Sequence, residues 1–183
     1  MNIADKSQTI LQSVELFQPV DVKAFANLVL DWADRSGRPV SPMKLQKIVY
    51  FCHADFLVFT GKPLILQNFE AWEYGPVVPC LYDEFKLFGA NAIQARAYRF
   101  NPMTCQKELA APCDFGELES FVRTSFEAYA RHSASVLSNL SHIERGPWAE
   151  ALKRFENGSP SGLNIENQII VKHHIHALRR PMH

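Results

Sequence analysis

The strongest structural signal in this sequence is the segment of residues 41–61, which begins and ends with clear helix boundaries. Ser41 can cap a helix, Pro42 suits its first turn and Gly61 can end it, with Pro63 just beyond. Apolar residues recur between these boundaries at helical spacing: Leu45, Ile48, Val49, Cys52, Phe56 and Phe59, with Phe51 and Leu57 widening the stripe. A helix with so wide an apolar surface needs other elements to cover it. We therefore predict that this helix lies at the centre of the core.

Other segments with the same periodicity predict a mainly α fold, a compact single-domain bundle of about six to seven helices. One helix follows Asp21 and stops at Gly37, and another starts at Pro79 and stops at Gly89. The second half contributes four more: a helix from Asp114 and Glu117, which resemble a capping box; one from Ser133 with Val136, Leu137 and Leu140 on one face; one from Pro147 with Trp148, Ala151, Leu152 and Phe155 inward and Gly158 at its end; and one over residues 164–178 that uses Ile165, Ile169, Ile175 and Leu178.

Three stretches lack helical periodicity. Residues 64–66 and 70–72 predict a small β-hairpin near residues 64–74, with an extended surface crossing as the alternative. Residues 90–113 predict a loop that contains one strand at most. Residues 1–19 show weak periodicity and end at Pro19, so we predict an N-terminal extension, flexible or loosely docked, ahead of a domain over residues 20–183.

Composition limits the possible partners and location. The 183 residues are 47% apolar and carry 19 basic and 19 acidic side chains, so there is no net field to attract nucleic acid. The basic residues at the C-terminus predict the solvated end of a last helix: Lys172, His173, His174, His176, Arg179 and Arg180. No apolar run approaches the roughly 20 residues of a membrane helix. Four irregularly spaced cysteines without a secretion signal predict reduced thiols and a cytoplasmic protein.

No catalytic or metal motif emerges, so we predict a protein without cofactors that is not an enzyme. Cys52 and His53 are neighbours on a helix, and their side chains point about 100° apart, which prevents an activated thiol pair. His142 and Glu144 match half of a zinc deaminase signature, but every cysteine precedes them. Residues 158–162 resemble a nucleophile elbow with proline in place of the nucleophile. The cluster of His173, His174 and His176 spreads around a helix and predicts no metal site.

Large aromatic and proline residues are concentrated in two segments outside these helical stripes, residues 69–79 and 141–148. Gly75 permits a turn that other residues avoid, while Pro76 and Pro79 stiffen the chain before the next helix. Trp72, Tyr74 and Trp148 then have two possible roles: they close the ends of the core, or they stay partly open as anchors for a partner, since Trp and Tyr are frequent in binding hot spots.

The ordered motifs of this chain resemble those of the Panacea domain, the SocA-like antitoxin domain of bacteria and their phages. The matching residues are Lys44-Leu-Gln-Lys-Ile-Val-Tyr-Phe51, Gly61-Lys-Pro-Leu64, Phe69-Glu-Ala-Trp-Glu-Tyr-Gly-Pro-Val-Val-Pro79, Leu81-Tyr82, Leu137-Ser138, Ser141-His142 and Gly146-Pro-Trp148. The resemblance extends over about residues 20–175. It has two departures, because the family often has threonine at the position of Ser141 and usually has an aromatic pair in place of His173 and His174.

The resemblance implies a helical domain, common in prophages, that neutralises a toxin by direct protein contact. The toxin would be the product of a neighbouring gene. Because one branch of the family delivers its toxin to an AAA+ protease, the alternative functions are a proteolytic adaptor for a toxin or other client, or a phage or prophage protein with another protein-binding role. The residues that the resemblance marks, as a partner surface or as parts of the scaffold, are Trp72, Tyr74, Gly75, Pro76, Pro79, Tyr82, His142 and Trp148. An unrecognised hydrolase or transferase is the remaining alternative.

Overall fold

A computed structural model describes residues 3–159 and 162–178 of the protein. Within these ranges the chain forms eight α-helices: α1 Ile3–Leu16, α2 Val22–Arg35, α3 Pro42–Thr60, α4 Pro79–Phe85, α5 Glu119–Ala130, α6 Ala134–Ser141, α7 Pro147–Glu156 and α8 Asn167–Leu178. Five short strands complete the described fold: β1 Phe69–Trp72, β2 Gly75–Val77, β3 Tyr98–Asn101, β4 Gln106–Leu109 and β5 Asn164–Ile165. The prediction of a mainly helical, compact fold is confirmed.

Helix α3 is the central element, as its capping residues and wide apolar surface predicted. The Ser41 side chain accepts a hydrogen bond from the Lys44 backbone N–H, and Gly61 ends the helix in a left-handed conformation. Helices α2, α4, α5, α6 and α8 and strand β2 all pack against it. Aromatic pairs join it to its neighbours: the Phe51 ring stacks on Tyr129 at 4.7 Å, and the Tyr50 ring meets Phe69 edge-on at 5.2 Å.

The strands form two separate sheets, and the predicted pairing of residues 64–66 with residues 70–72 is wrong. Strand β1 instead pairs with β2 and with β5, all antiparallel, in the order β2-β1-β5. Residues 64–66 run beside Val20, to which Ile65 forms a parallel bridge. Residues 90–113 contain two strands where the sequence predicted at most one, and β3 and β4 form a hairpin of their own.

Helix ends and faces differ from the predictions in the second half. Asp114 accepts a hydrogen bond from the Gly116 N–H at the start of a 3-10 turn over Gly116–Leu118, and α5 begins only at Glu119. Residues 164 and 165 pair with β1, which delays α8 to Asn167. Phe155, predicted to face inward, lies in the last turn of α7 and is 49% exposed. Val136 and Leu140 are also exposed, whereas Leu137 between them is fully buried.

The N-terminal segment contains a helix although its periodicity is weak. Residues 3–16 form α1, and the following Phe17 is buried, with its ring 4.8 Å from Phe56 and 5.9 Å from Phe115. The core therefore begins before Val20, the predicted start of the domain. That residues 1–19 are flexible stays a prediction.

Some residues named in the sequence analysis lie outside the described part of the structure. They are Pro160 of the 158–162 turn, Arg179, Arg180 and the side chains of His176 and Leu178.

Candidate functional site

We call residues 69–79 the motif segment; they form β1, a tight turn, β2 and the entry to α4. Trp72 pairs with Gly75 across the turn, and Gly75 has a φ of +95°, a backbone conformation that favours glycine. A methyl group on Gly75 would overlap the Ser141 hydroxyl and would lie 3.0 Å from Lys47 Nζ and 3.1 Å from His142 Cε1. Glycine is therefore required here for its conformation and for the close approach of α3 and α6.

Side chains from three other helices hold the backbone of the motif segment. Five of its carbonyl groups accept a hydrogen bond from such a side chain. The donor and acceptor pairs are Trp148 Nε1 to Trp72 at 2.7 Å, His142 Nε2 to Glu73 at 3.0 Å, Ser138 Oγ to Tyr74 at 3.0 Å, Lys47 Nζ to Pro76 at 2.8 Å and Gln46 Nε2 to Val78 at 3.2 Å. Gln46 Oε1 also accepts from the Val78 N–H at 2.9 Å. Backbone groups outside regular ladders need such partners, and here the motifs that carry the resemblance supply them.

His142 stands between two carbonyl oxygens. Its Nε2 faces the Glu73 carbonyl, and its Nδ1 lies 2.7 Å from the carbonyl of Ser138. The His142 ring also meets the Trp148 ring edge-on, with the ring centroids 4.3 Å apart. His142 therefore joins α6, α7 and the motif segment.

Lys47 is a buried lysine on the central helix α3. Its side chain donates to the Pro76 carbonyl, and only 1% of the residue is exposed. No carboxylate lies within ion-pair distance of it in the described ranges, and burial lowers the pKa of Lys47 to about 7. Sequence reasoning did not select Lys47, Gln46 or Ser138 as site residues. The sequence did contain one signal for two of them: Gln46 and Lys47 are polar residues between the apolar Leu45 and Ile48 of the central helix.

An aromatic groove opens beside this hydrogen-bonded region. Its walls include Trp72, Tyr74 and Tyr82 from the predicted set, together with Met43 and Val77, and its volume is about 360 Å³. Tyr74 is 62% exposed and Tyr82 40%, while the half-buried Trp72 ring lies 5.0 Å from the Tyr82 ring. Lys47 lines the groove as well, and Glu73 and Lys86 add one charge of each sign.

Of the eight residues marked by the resemblance, four lie in the packed region, one begins a helix and three line the groove. Gly75, Pro76, His142 and Trp148 belong to the packed, hydrogen-bonded region that fixes the motif segment. Pro79 is the first residue of α4. Trp72, Tyr74 and Tyr82 present their rings to the groove. A structural role thus accounts for the first group, and the groove is the candidate binding surface.

The other candidate groups of the sequence have structural partners. His53 lies between the Ile65 N–H and Asn167 Oδ1, and burial lowers its pKa to about 4, while burial raises the pKa of Cys52. His173 contacts Glu150 at 2.8 Å, and His174 contacts the Tyr50 hydroxyl at 3.2 Å. Among the described residues there is no group of three potential metal ligands. None of the described helices is both long enough and apolar enough to span a bilayer.

Comparison with known proteins confirms the resemblance carried by the motifs. The family model of the antitoxin SocA-like Panacea domain matches residues 45–149, from α3 to the start of α7. Antitoxin SocA of Caulobacter vibrioides (strain NA1000 / CB15N) is 37% identical over 131 residues, which cover 72% of this chain and 70% of the relative. No solved structure matches the chain.

Proposed function

Because the chain belongs to the SocA-like Panacea antitoxin family, we propose that it neutralises a toxin protein by binding it directly. The identity to Antitoxin SocA over most of both chains supports an antitoxin-like role. Neutralisation by contact requires no reacting side chain. It requires a complementary surface of about 1,200 Å² or more in total, with a few well-packed anchors. The proposal therefore describes a binding protein and not an enzyme.

We place the toxin contact at the aromatic groove, and the observation that carries this choice is the exposure of its rings. Tyr74 and Tyr82 keep much of their surface open although the segment between them is rigidly held. Rigid aromatic side chains bury a large area on binding and lose little conformational freedom. The hydrogen bonds to the carbonyls of Glu73, Tyr74 and Pro76 fix the shape of this surface before the partner arrives.

The test is co-expression of the chain with the product of its neighbouring gene, followed by measurement of binding with purified proteins. Tyr74→Ala and Tyr82→Ala should each weaken binding by about tenfold or more and abolish growth rescue, with the melting temperature almost unchanged. Phe155→Ala is the matched control, because Phe155 is similarly exposed and lies on α7, outside the groove. Wild-type protein that neither rescues growth nor binds would refute the proposed function.

The same measurements test the site separately from the function. If the wild-type chain binds the toxin and both tyrosine variants bind equally well, the contact lies elsewhere on the surface. If the loss of binding is fully explained by a lower melting temperature, the rings of Tyr74 and Tyr82 stabilise the fold and are not contacts for the toxin. Trp72 is a poorer choice for this purpose, since its Nε1 donates to Glu70 at 2.8 Å and its carbonyl accepts from Trp148.

A further inference from the structure

The β3–β4 hairpin is fixed firmly at its base. Asn27 of α2 exchanges two hydrogen bonds with the backbone of Ala97, at 3.0 and 2.7 Å. Glu84 of α4 accepts from the Tyr98 N–H at 3.1 Å, and Lys23 donates to the Tyr98 carbonyl at 2.9 Å while it pairs with Glu84. The two strands beyond this base are mostly exposed. A strand pair held in this way keeps its orientation although little of it is buried.

One face of this hairpin is apolar and uncovered. The register pairs Tyr98 with Leu109 and Phe100 with Lys107, which places these four side chains on the same face. Tyr98 is 47% exposed, Phe100 63% and Leu109 54%, and Met103 at the tip is almost fully exposed. Three large apolar side chains side by side form a patch of the kind that marks interaction sites.

The charges on the hairpin are not balanced within the protein. Glu108 accepts hydrogen bonds from Asn101 Nδ2 at 2.7 Å and from Thr104 Oγ1 at 3.1 Å. Lys107, on the apolar face, and Arg99, on the opposite face, form no ion pair with any residue in the described ranges. A partner on the apolar face would meet Lys107 and not Arg99, so an acidic side chain beside apolar groups would complement this face.

The hairpin also lies next to the aromatic groove. Helix α4 separates them, because Tyr82 lines the groove whereas Glu84, about 200° further around the helix, contacts the hairpin. A helix is about 10–12 Å across, and a standard interface covers about 800 Å² on each partner. The groove and the hairpin therefore share α4, and a partner that contacts both must extend across this helix.

We propose that the apolar face of the β3–β4 hairpin is a second contact for the toxin, and that it binds an apolar surface of the toxin that carries aspartate or glutamate side chains. This inference rests on the proposed function, because it takes the toxin as the partner. The groove and the hairpin then act as two parts of one interface. The hairpin supplies most of the electrostatic attraction to the toxin, since the groove is lined by charges of both signs.

The experiment uses the full chain and the purified product of the neighbouring gene, with dissociation constants measured over a range of salt concentrations. Phe100→Ser should weaken binding by about tenfold at every salt concentration. Lys107→Glu should weaken binding most at low salt and reduce the salt dependence. Phe155→Ser and Lys153→Glu on α7 are the matched controls and should bind like wild type. Each variant should unfold at the wild-type temperature, because the substituted side chains are exposed.

Two results separate this inference from the proposed function. If Phe100→Ser and Lys107→Glu bind like wild type while Tyr74→Ala binds weakly, the hairpin contact is refuted and the antitoxin function stands. If the wild-type chain itself does not bind, the proposed function fails and the inference fails with it. A hairpin variant that is both folded and deficient in binding supports the inference, and the charge-reversal variant provides this test even if the apolar variant misfolds.

Discussion

Replacement of Gly75 by alanine tests whether the motif segment depends on the close approach of three elements. Alanine at this position would keep a φ of +95° with a side chain present, which costs about 1–3 kcal/mol. Its methyl group would also overlap the Ser141 hydroxyl and press on Lys47 and His142. Overpacking of this kind costs about 1–3 kcal/mol. We expect the free energy of unfolding to fall by roughly 2–6 kcal/mol, which is a large part of the stability of a single domain.

A double-mutant cycle separates the two contributions. Ser141→Ala removes the hydroxyl that the new methyl group would meet, at the cost of the hydrogen bond from Ser141 Oγ to the Ser138 carbonyl. In that background Gly75→Ala keeps the backbone cost and the contacts with Lys47 and His142 but loses the overlap with the hydroxyl, so the two substitutions should couple by about 1 kcal/mol or more. The assay is urea unfolding of wild type, the two single variants and the double variant, monitored by circular dichroism at one pH and one temperature.

Gly61→Ala is the control for backbone conformation alone. Gly61 also has a positive φ, of +72°, but nothing lies within 4 Å of the place that its methyl group would occupy. If Gly75→Ala lowers the free energy of unfolding no more than Gly61→Ala does, the close packing around Gly75 does not matter. Additive effects of Gly75→Ala and Ser141→Ala would lead to the same conclusion.

Two further predictions concern the dependence of stability on pH. Burial lowers the pKa of Lys47 from 10.5 to about 7, so the unfolded chain binds more protons between these values and the free energy of unfolding should rise with pH there, by up to about 1.4 kcal/mol per unit. Urea unfolding of Lys47→Met between pH 7 and about 9 should show a smaller rise than wild type, and parallel curves would contradict the prediction. Burial also lowers the pKa of His174 from 6.5 to about 4, so stability should fall as the pH falls through this range. His174→Phe should reduce that fall although it loses the contact with the Tyr50 hydroxyl, and an unchanged acid dependence would show that His174 is not its cause.

The sequence predicted the elements whose signals are local. Ser41, Pro42 and Gly61 define α3 because a cap, a first-turn proline and a left-handed glycine act within a few residues. Strand pairing was predicted less well, because β1 and β2 are short and the choice between residues 64–66 and 75–77 as partner depends on packing against α3 and β5.

The groove and the hydrogen-bonded region around the motif segment show the same limit. Trp72, Tyr74 and Tyr82 could be selected as unusual residues, but the sequence could not distinguish groove residues from core residues. Lys47 escaped selection because a lysine on a helix is normally solvated, and its burial depends on a carbonyl 29 positions away along the chain. The position of His142 between two carbonyls likewise requires the contact between α6 and the motif segment.

The way in which the motif segment is held has a consequence for protein engineering. Neighbouring helices bind the carbonyl oxygens of residues 72, 73, 74, 76 and 78, and every amino acid has a carbonyl. The side chains of Glu73 and Tyr74 can therefore be randomised while the loop keeps its conformation. Together with Tyr82 and Lys86, which also line the groove, these two positions define a small combinatorial library on a backbone of fixed conformation. Selection from such a library would test whether the same scaffold can be directed to chosen protein partners.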